Sequence, residues 1–279
     1  MNLSLLNHWK LHHKTINRIE TPQGIITMHS LFLPYLVEMI LMNLIGTVNT
    51  VFISHFSDQS VAAVGAATQL IGMVLTFYGV ISSGASIVIS QNLGAGKDNK
   101  ASDAAVISVL LSALLSLTIG FILSAYAPPI LSKMNLKADV LKQSSMYFKI
   151  CISFSFLQAI TSSLSAILRS YGLPKVAVKV SILVNIINAT FCYIVVFRPF
   201  ETPLYGAQGI AIGSVISQLI GLIVMIILFI RSSLGIQFTK KIINPLNVIL
   251  IILKIGIPGG ITSLSYSLSQ VVSITDSPF

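Results

Sequence analysis

Residues 34–54 read PYLVEMILMNLIGTVNTVFIS, an apolar run in which Glu38 is the one charged side chain. A helix needs about 20 predominantly apolar residues, at roughly 1.5 Å of rise each, to cross a bilayer core. Working outward from this run, the same ruler predicts seven spans: His29–Ser54, Ala62–Gln91, Ala104–Tyr126, Ser144–Leu168, Pro174–Phe197, Gln208–Ile230 and Ile249–Thr275. Lipid offers no partner to an unpaired backbone N–H or C=O, so helices are the open-chain solution. The fold class is an all-α polytopic membrane protein.

Composition agrees. Of the 279 residues 54% are hydrophobic and only 9% charged, with a mean hydropathy of +0.88. An ordinary soluble domain carries about 25% charged residues, so this chain lacks the polar surface to face water and takes the lipid bilayer as its partner. The net charge of +9 does not indicate nucleic acid. The basic residues flank apolar runs, and no basic block with interleaved aromatics is present to track a phosphate backbone. Cys151 and Cys192 sit inside apolar runs and read as core-filling residues, not as a disulfide or metal site.

The connections carry turn and charge signals: Gly94-Ala95-Gly96-Lys97-Asp98, Pro128-Pro129, Tyr171-Gly172-Leu173-Pro174 and Arg198 to Pro203. The N-terminal segment has no central apolar run, and its stretch around Leu5, Leu6, Trp9 and Leu11 suits the membrane surface. His8 and His12 stand at helical spacing, but no third metal ligand accompanies them. Numbering the flanks alternately leaves Lys133, Lys137, Lys142, Lys149 and Arg198 on one side and the other Lys and Arg on the opposite side. By the positive-inside rule the N-terminus is cytoplasmic and the protein lies in the plasma membrane. Seven spans from that start put the C-terminus outside, the reverse of a seven-helix receptor.

The first and last spans echo each other: Leu31-Phe32-Leu33-Pro34 aligns with Ile255-Gly256-Ile257-Pro258. Transporters are commonly built from two related halves. The expected organisation is a basic N-terminal segment over 1–28, a six-helix lobe over 29–230, a cytoplasmic linker over 231–248 and, over 249–279, the first helix of an incomplete second lobe. A truncated product is one expectation. A natural single lobe that pairs with a second chain is the other.

Ionisable groups at membrane depth are costly and usually functional. Among the acids only Glu38 lies well inside a span, sharing a helix face with Met42, Ile45 and Asn49. Glu38 and Asn49 are about 16 Å apart along the axis. One reading makes Glu38 a cation or proton site beside a wet cavity; the other makes it a hydrogen-bonded tie between helices. Pro34, one turn earlier, removes a backbone hydrogen bond; it either permits a bend or only marks the first turns of the helix. The fifth span carries Ser181, Asn185, Asn188 and Cys192 on one face; the fourth carries Gln158, Thr161, Ser162, Ser165 and Arg169; the second carries Gln69, Gly72, Thr76, Gly79 and Ser83. Such faces line cavities or act as helix–helix glue, and spacing alone leaves both open for Asn185 and Asn188. Gly94-Ala95-Gly96 lacks the ending of a phosphate loop and reads as a helix-stopping turn. No catalytic constellation, cofactor motif or metal cluster is evident, so the chain does not read as an enzyme.

Several stretches together resemble one family. They are 34–54, Val61-Ala62-Ala63-Val64-Gly65, Ser90 to Gly96, Leu168 to Pro174, Asn185 with Asn188, and Gly206 to Ala211. In this order they are similar to the multidrug and toxic compound extrusion (MATE) family, from about residue 30 to the end. The resemblance implies one lobe and part of the next of a twelve-helix antiporter that exports organic cations and drugs in exchange for Na⁺ or H⁺. It also implies a cation-coupling site on the first helix, where many members carry Asp and this chain carries Asn49. Asn takes up no proton, so Glu38 becomes the alternative coupling residue. Cavity candidates are thus Glu38, Asn49, Gln69, Asn185 and Asn188, with Pro34 as the bend. A related lipid-linked oligosaccharide flippase and a non-transporting membrane scaffold are the competing readings.

Overall fold

A computed structural model describes residues 18–22, 24–134, 136–197, 206–236 and 244–275. The predicted surface segment around Leu5–Leu11, Arg198 and the linker residues 237–243 lie outside the described residues.

The chain enters through a hairpin of β1 (Arg18–Thr21) and β2 (Gly24–Thr27), paired antiparallel with Arg18 opposite Thr27 and Thr21 opposite Gly24. Helices follow: α1 (Met28–Ile53), α2 (Asp58–Gly94), α3 (Asp98–Ala125), α4 (Ala127–Ser132), α5 (Ala138–Ser153), α6 (Ser155–Ser170), α7 (Pro174–Phe197), α8 (Gly206–Arg231) and α9 (Pro245–Thr275). Among the described residues α1, α2, α3, α7 and α8 are each long and apolar enough to cross a membrane. The pair α5–α6, bent by 44°, meets the same test of length and apolarity when the two helices are taken together. The architecture is that of an all-α polytopic membrane protein, with the short hairpin as an addition that span-counting does not anticipate.

Three departures from the predicted spans have physical causes. The α2 helix is 37 residues long, about 55 Å at the standard rise, because Ser57 caps it ahead of the apolar run. The Ser57 hydroxyl accepts the Ser60 N–H at 3.1 Å, satisfying one of the free N–H groups of the first turn. Pro128-Pro129, expected as a connection, instead opens α4 with prolines at its first positions, where a missing N–H costs nothing. The fourth span, expected as one helix over Ser144–Leu168, breaks at Phe154. There Leu157 N–H donates to Phe154 O at 3.0 Å, and Tyr78 and Ser155 share a hydroxyl bond at 3.0 Å. The Ile152 carbonyl packs so close to Gly120 that a Cβ there would sit 2.7 Å from it.

The predicted turns stop their helices as glycine C-caps do. Lys97 N–H reaches back to Asn92 O at 2.8 Å across Gly96 (φ +66°), and Leu173 N–H reaches Leu168 O at 2.8 Å across Gly172 (φ +87°). Two apolar clusters form the core. One gathers Ile89, Ala105, Ile167, Leu168, Val180 and Met225. The other gathers Ile53, Val64, Tyr78, Phe148, Val195 and Ile210. Chain order puts the first toward the end holding the α2–α3 and α6–α7 turns and the second toward the opposite end.

The α9 helix packs along α2 at backbone distance. A Cβ on Gly84 would strike the Ile252 carbonyl, and one on Gly256 would strike the Val80 carbonyl. Pro34 and Pro258 both lie inside continuous helices, α1 and α9.

Candidate functional site

The α1 helix is mostly exposed, and its buried residues are Glu38, Asn49 and Ile53. Positions 38, 49 and 53 fall on one face at 100° per residue, so this helix turns its polar stripe to the bundle and leaves Leu33 and Ile40 outside. The stripe meets two cavities.

Around Glu38 lies a cavity of about 580 Å³ between α1, α2 and α6, lined by Tyr35, Glu38, Ser86, Arg169 and Ser170 among others. Arg169, in the last turn of α6, donates from Nη1 to Glu38 Oε2 at 2.7 Å. Its guanidinium also lies 4.7 Å from the centre of the Tyr35 ring, a cation–π distance. The Glu38 side chain is 2% exposed and that of Arg169 is 20% exposed, so the arginine is the more accessible of the two charges, and both line the cavity. Beneath the pair, Ser86 and Ser170 share a hydroxyl bond at 3.0 Å and Ser170 Oγ donates to Ser86 O at 3.1 Å, joining α2 to α6.

Around Asn49 lies a neutral cavity of about 200 Å³ whose lining includes Asn43, Tyr147, Cys151, Gln158 and Ser214. Asn49 Nδ2 donates to Ser214 Oγ at 2.9 Å and to Tyr147 Oη at 3.2 Å, while Cys192 Sγ donates to Asn49 Oδ1 at 3.3 Å. Asn188 Nδ2 donates to the same Ser214 Oγ at 2.9 Å. Four helices, α1, α5, α7 and α8, therefore meet in one uncharged network. Met42 lines both cavities.

The fold thus brings Asn49 and Asn188 together and puts Glu38 in a different cavity. Asn185 does something else: its amide donates to Leu41 O at 2.9 Å and to Ser181 O at 2.8 Å, tying α7 to α1. Gln69 is half-buried on α2 and is not among the residues lining either cavity. Arg169 was visible as the end of a polar stripe, but its pairing with Glu38 was not, and neither were Tyr147 and Ser214 as partners of Asn49. Among the described residues no three His, Cys, Asp or Glu side chains gather to hold a metal ion.

Helices of membrane-crossing length around one charged and one neutral solute-sized cavity define a multi-pass helical membrane protein. The MatE family profile matches residues 34–194, and the chain belongs to this family of multidrug-efflux transporters, which are not enzymes. It is 32% identical over 248 residues to the uncharacterized transporter YisQ of Bacillus subtilis, covering 88% of this chain and 54% of that one. It is 28% identical over 254 residues to a probable multidrug resistance protein NorM of Thermotoga maritima, covering 89% and 53%. Its fold superposes with a TM-score of 0.77, at 20% identity, on a MOP superfamily transporter from Pyrococcus furiosus, covering 86% and 53%. The chain spans about half the length of the curated relatives it matches.

Proposed function

We propose that this chain supplies one lobe, residues 29–230, of an exporter of organic cations and drugs driven by Na⁺ or H⁺ antiport. The linker after α8 and the helix α9 (Pro245–Thr275) then lead toward the complementary lobe, and transport requires that lobe, whether on the same polypeptide or another. The observation that carries the reading is the family match over residues 34–194, which takes in most of the residues lining both cavities. Glu38 is proposed as the coupling residue, because it is the carboxyl group deep in a described span, while Asn49 has no proton to exchange. Asn49 is proposed to line the neutral part of the solute path, with Asn188 behind it through their shared Ser214 contact and Pro34 as the bend in α1. The N-terminus is proposed to lie in the cytoplasm, on the side richer in Lys and Arg.

Ethidium efflux from cells expressing the chain together with its complementary lobe tests this. Gradient-dependent efflux that disappears in Glu38→Gln is the expected result. Folded, membrane-inserted protein without efflux would favour a scaffold role. Full efflux in Glu38→Gln would remove the carboxyl group from the coupling step.

A further inference from the structure

The larger cavity is itself zwitterionic: one guanidinium and one carboxylate in contact at 2.7 Å, with the other lining divided between apolar side chains and a set of serines on α2 and α6. That arrangement discriminates by net charge. A ligand bearing one net charge of either sign leaves that charge uncompensated in a poorly solvated site, which is costly. A ligand with both an acid and an amine adds no net charge and can pair each group with its opposite.

We infer that this cavity receives a compact zwitterion with an apolar body, its carboxylate on Arg169 and its ammonium on Glu38. Arg169 is the first contact, since it is the more exposed of the two and a guanidinium has five N–H donors, of which one is given to Glu38. The Tyr35 ring holds the guanidinium from its other side, so the ligand meets an oriented group. Phe32, Met39, Met42 and Ile87 supply an apolar wall for the body. The volume of about 580 Å³ lies within the roughly 300–1,000 Å³ common for small-molecule sites. An aromatic α-amino acid has the required form. This inference stands on the cavity's geometry, independently of cation export, so a failure of ethidium efflux leaves it intact.

The test is equilibrium dialysis of the purified full chain in detergent against three matched probes: naphthylalanine, its amide and its N-acetyl derivative. These carry no net charge, a positive charge and a negative charge at neutral pH. The zwitterion is expected to bind about tenfold or more tightly than either analogue, a ratio well within the reach of one unpaired charge. Glu38→Gln is expected to shift the preference toward the N-acetyl probe, and Arg169→Gln toward the amide. If either variant fails to fold, the wild-type series decides alone. Equal or tighter binding of the amide or the N-acetyl probe to the wild-type chain overturns the inference, as does binding of none of the three.

Discussion

Arg169 on α6 and Glu38 on α1, 131 residues apart in the chain, close on each other at 2.7 Å and form the ion pair that joins these two helices. Breaking one side of a buried pair strands the other charge, whereas neutralising both removes the problem. With Arg169 part-exposed, Glu38→Gln or Arg169→Gln is expected to cost about 2 kcal/mol of stability. The double substitution should recover most of that loss. Thermal unfolding of the four proteins in one detergent checks it, and a strictly additive double variant would show that the two side chains do not interact.

The Asn49 network makes a second prediction. Asn49→Leu keeps the branched shape but removes the donor to Tyr147 and Ser214, the latter still held by Asn188, and takes the acceptor from Cys192 Sγ. A lost buried hydrogen-bond partner costs roughly 1–3 kcal/mol. Asn185→Leu should act differently, weakening the α1–α7 tie without disturbing the neutral cavity. Accessibility of a thiol reagent to Cys151, which lines that cavity, should therefore rise in Asn49→Leu and stay at the wild-type rate in Asn185→Leu.

Close packing of α2 on α9 yields a third. Gly84→Val and Gly256→Val would drive side chains into the carbonyls of Ile252 and Val80, and overpacking of this kind costs about 1–3 kcal/mol. Gly65→Ala, inside α2 with nothing within 4 Å of its new Cβ, should leave the melting temperature the same or slightly higher, as helix propensity favours Ala over Gly. A comparable drop in all three variants would contradict the assigned contact.

Two left-handed glycines separate backbone strain from contact. Gly96→Ala meets open space and should lose only the ~1 kcal/mol of a side chain held at positive φ. Gly172→Ala carries that cost and also meets Thr21 Oγ1 at 2.6 Å. It should therefore be the more destabilising and should loosen the β1–β2 hairpin. Faster proteolysis near Pro22 in Gly172→Ala than in Gly96→Ala is the expected readout.

How much of this could be read from residues alone depends on whether the controlling interaction is local. The bounds of α7, Pro174 and Phe197, match the sequence prediction because a proline opens the apolar run and Arg198-Pro199 ends it. The polar first turns of α2 and α3 were missed because a hydropathy ruler starts at the first apolar residue, although Ser57 before Asp58 is a readable cap. The hairpin was readable too, from β-branched Ile19, Thr21, Ile25 and Ile26 around Pro22–Gly24. The break at Phe154 has no proline or glycine to announce it and depends on Gly120 and Tyr78 from other helices. The partners of Glu38 and Asn49 were beyond reach for the same reason: helical periodicity gives the face of a side chain but not the helix that will meet it.

The seat of α9 against α2 reaches beyond stability. Val80, whose carbonyl meets Gly256, is the neighbour in α2 of Gly79, Ser82 and Ser83, which form the back of the larger cavity. With no side chain interposed, the two helices have little freedom to slide past each other, and a tilt imposed on α9 is handed directly to that wall. Whatever follows residue 275 in a longer protein would accordingly hold a lever on the chamber containing Glu38 and Arg169.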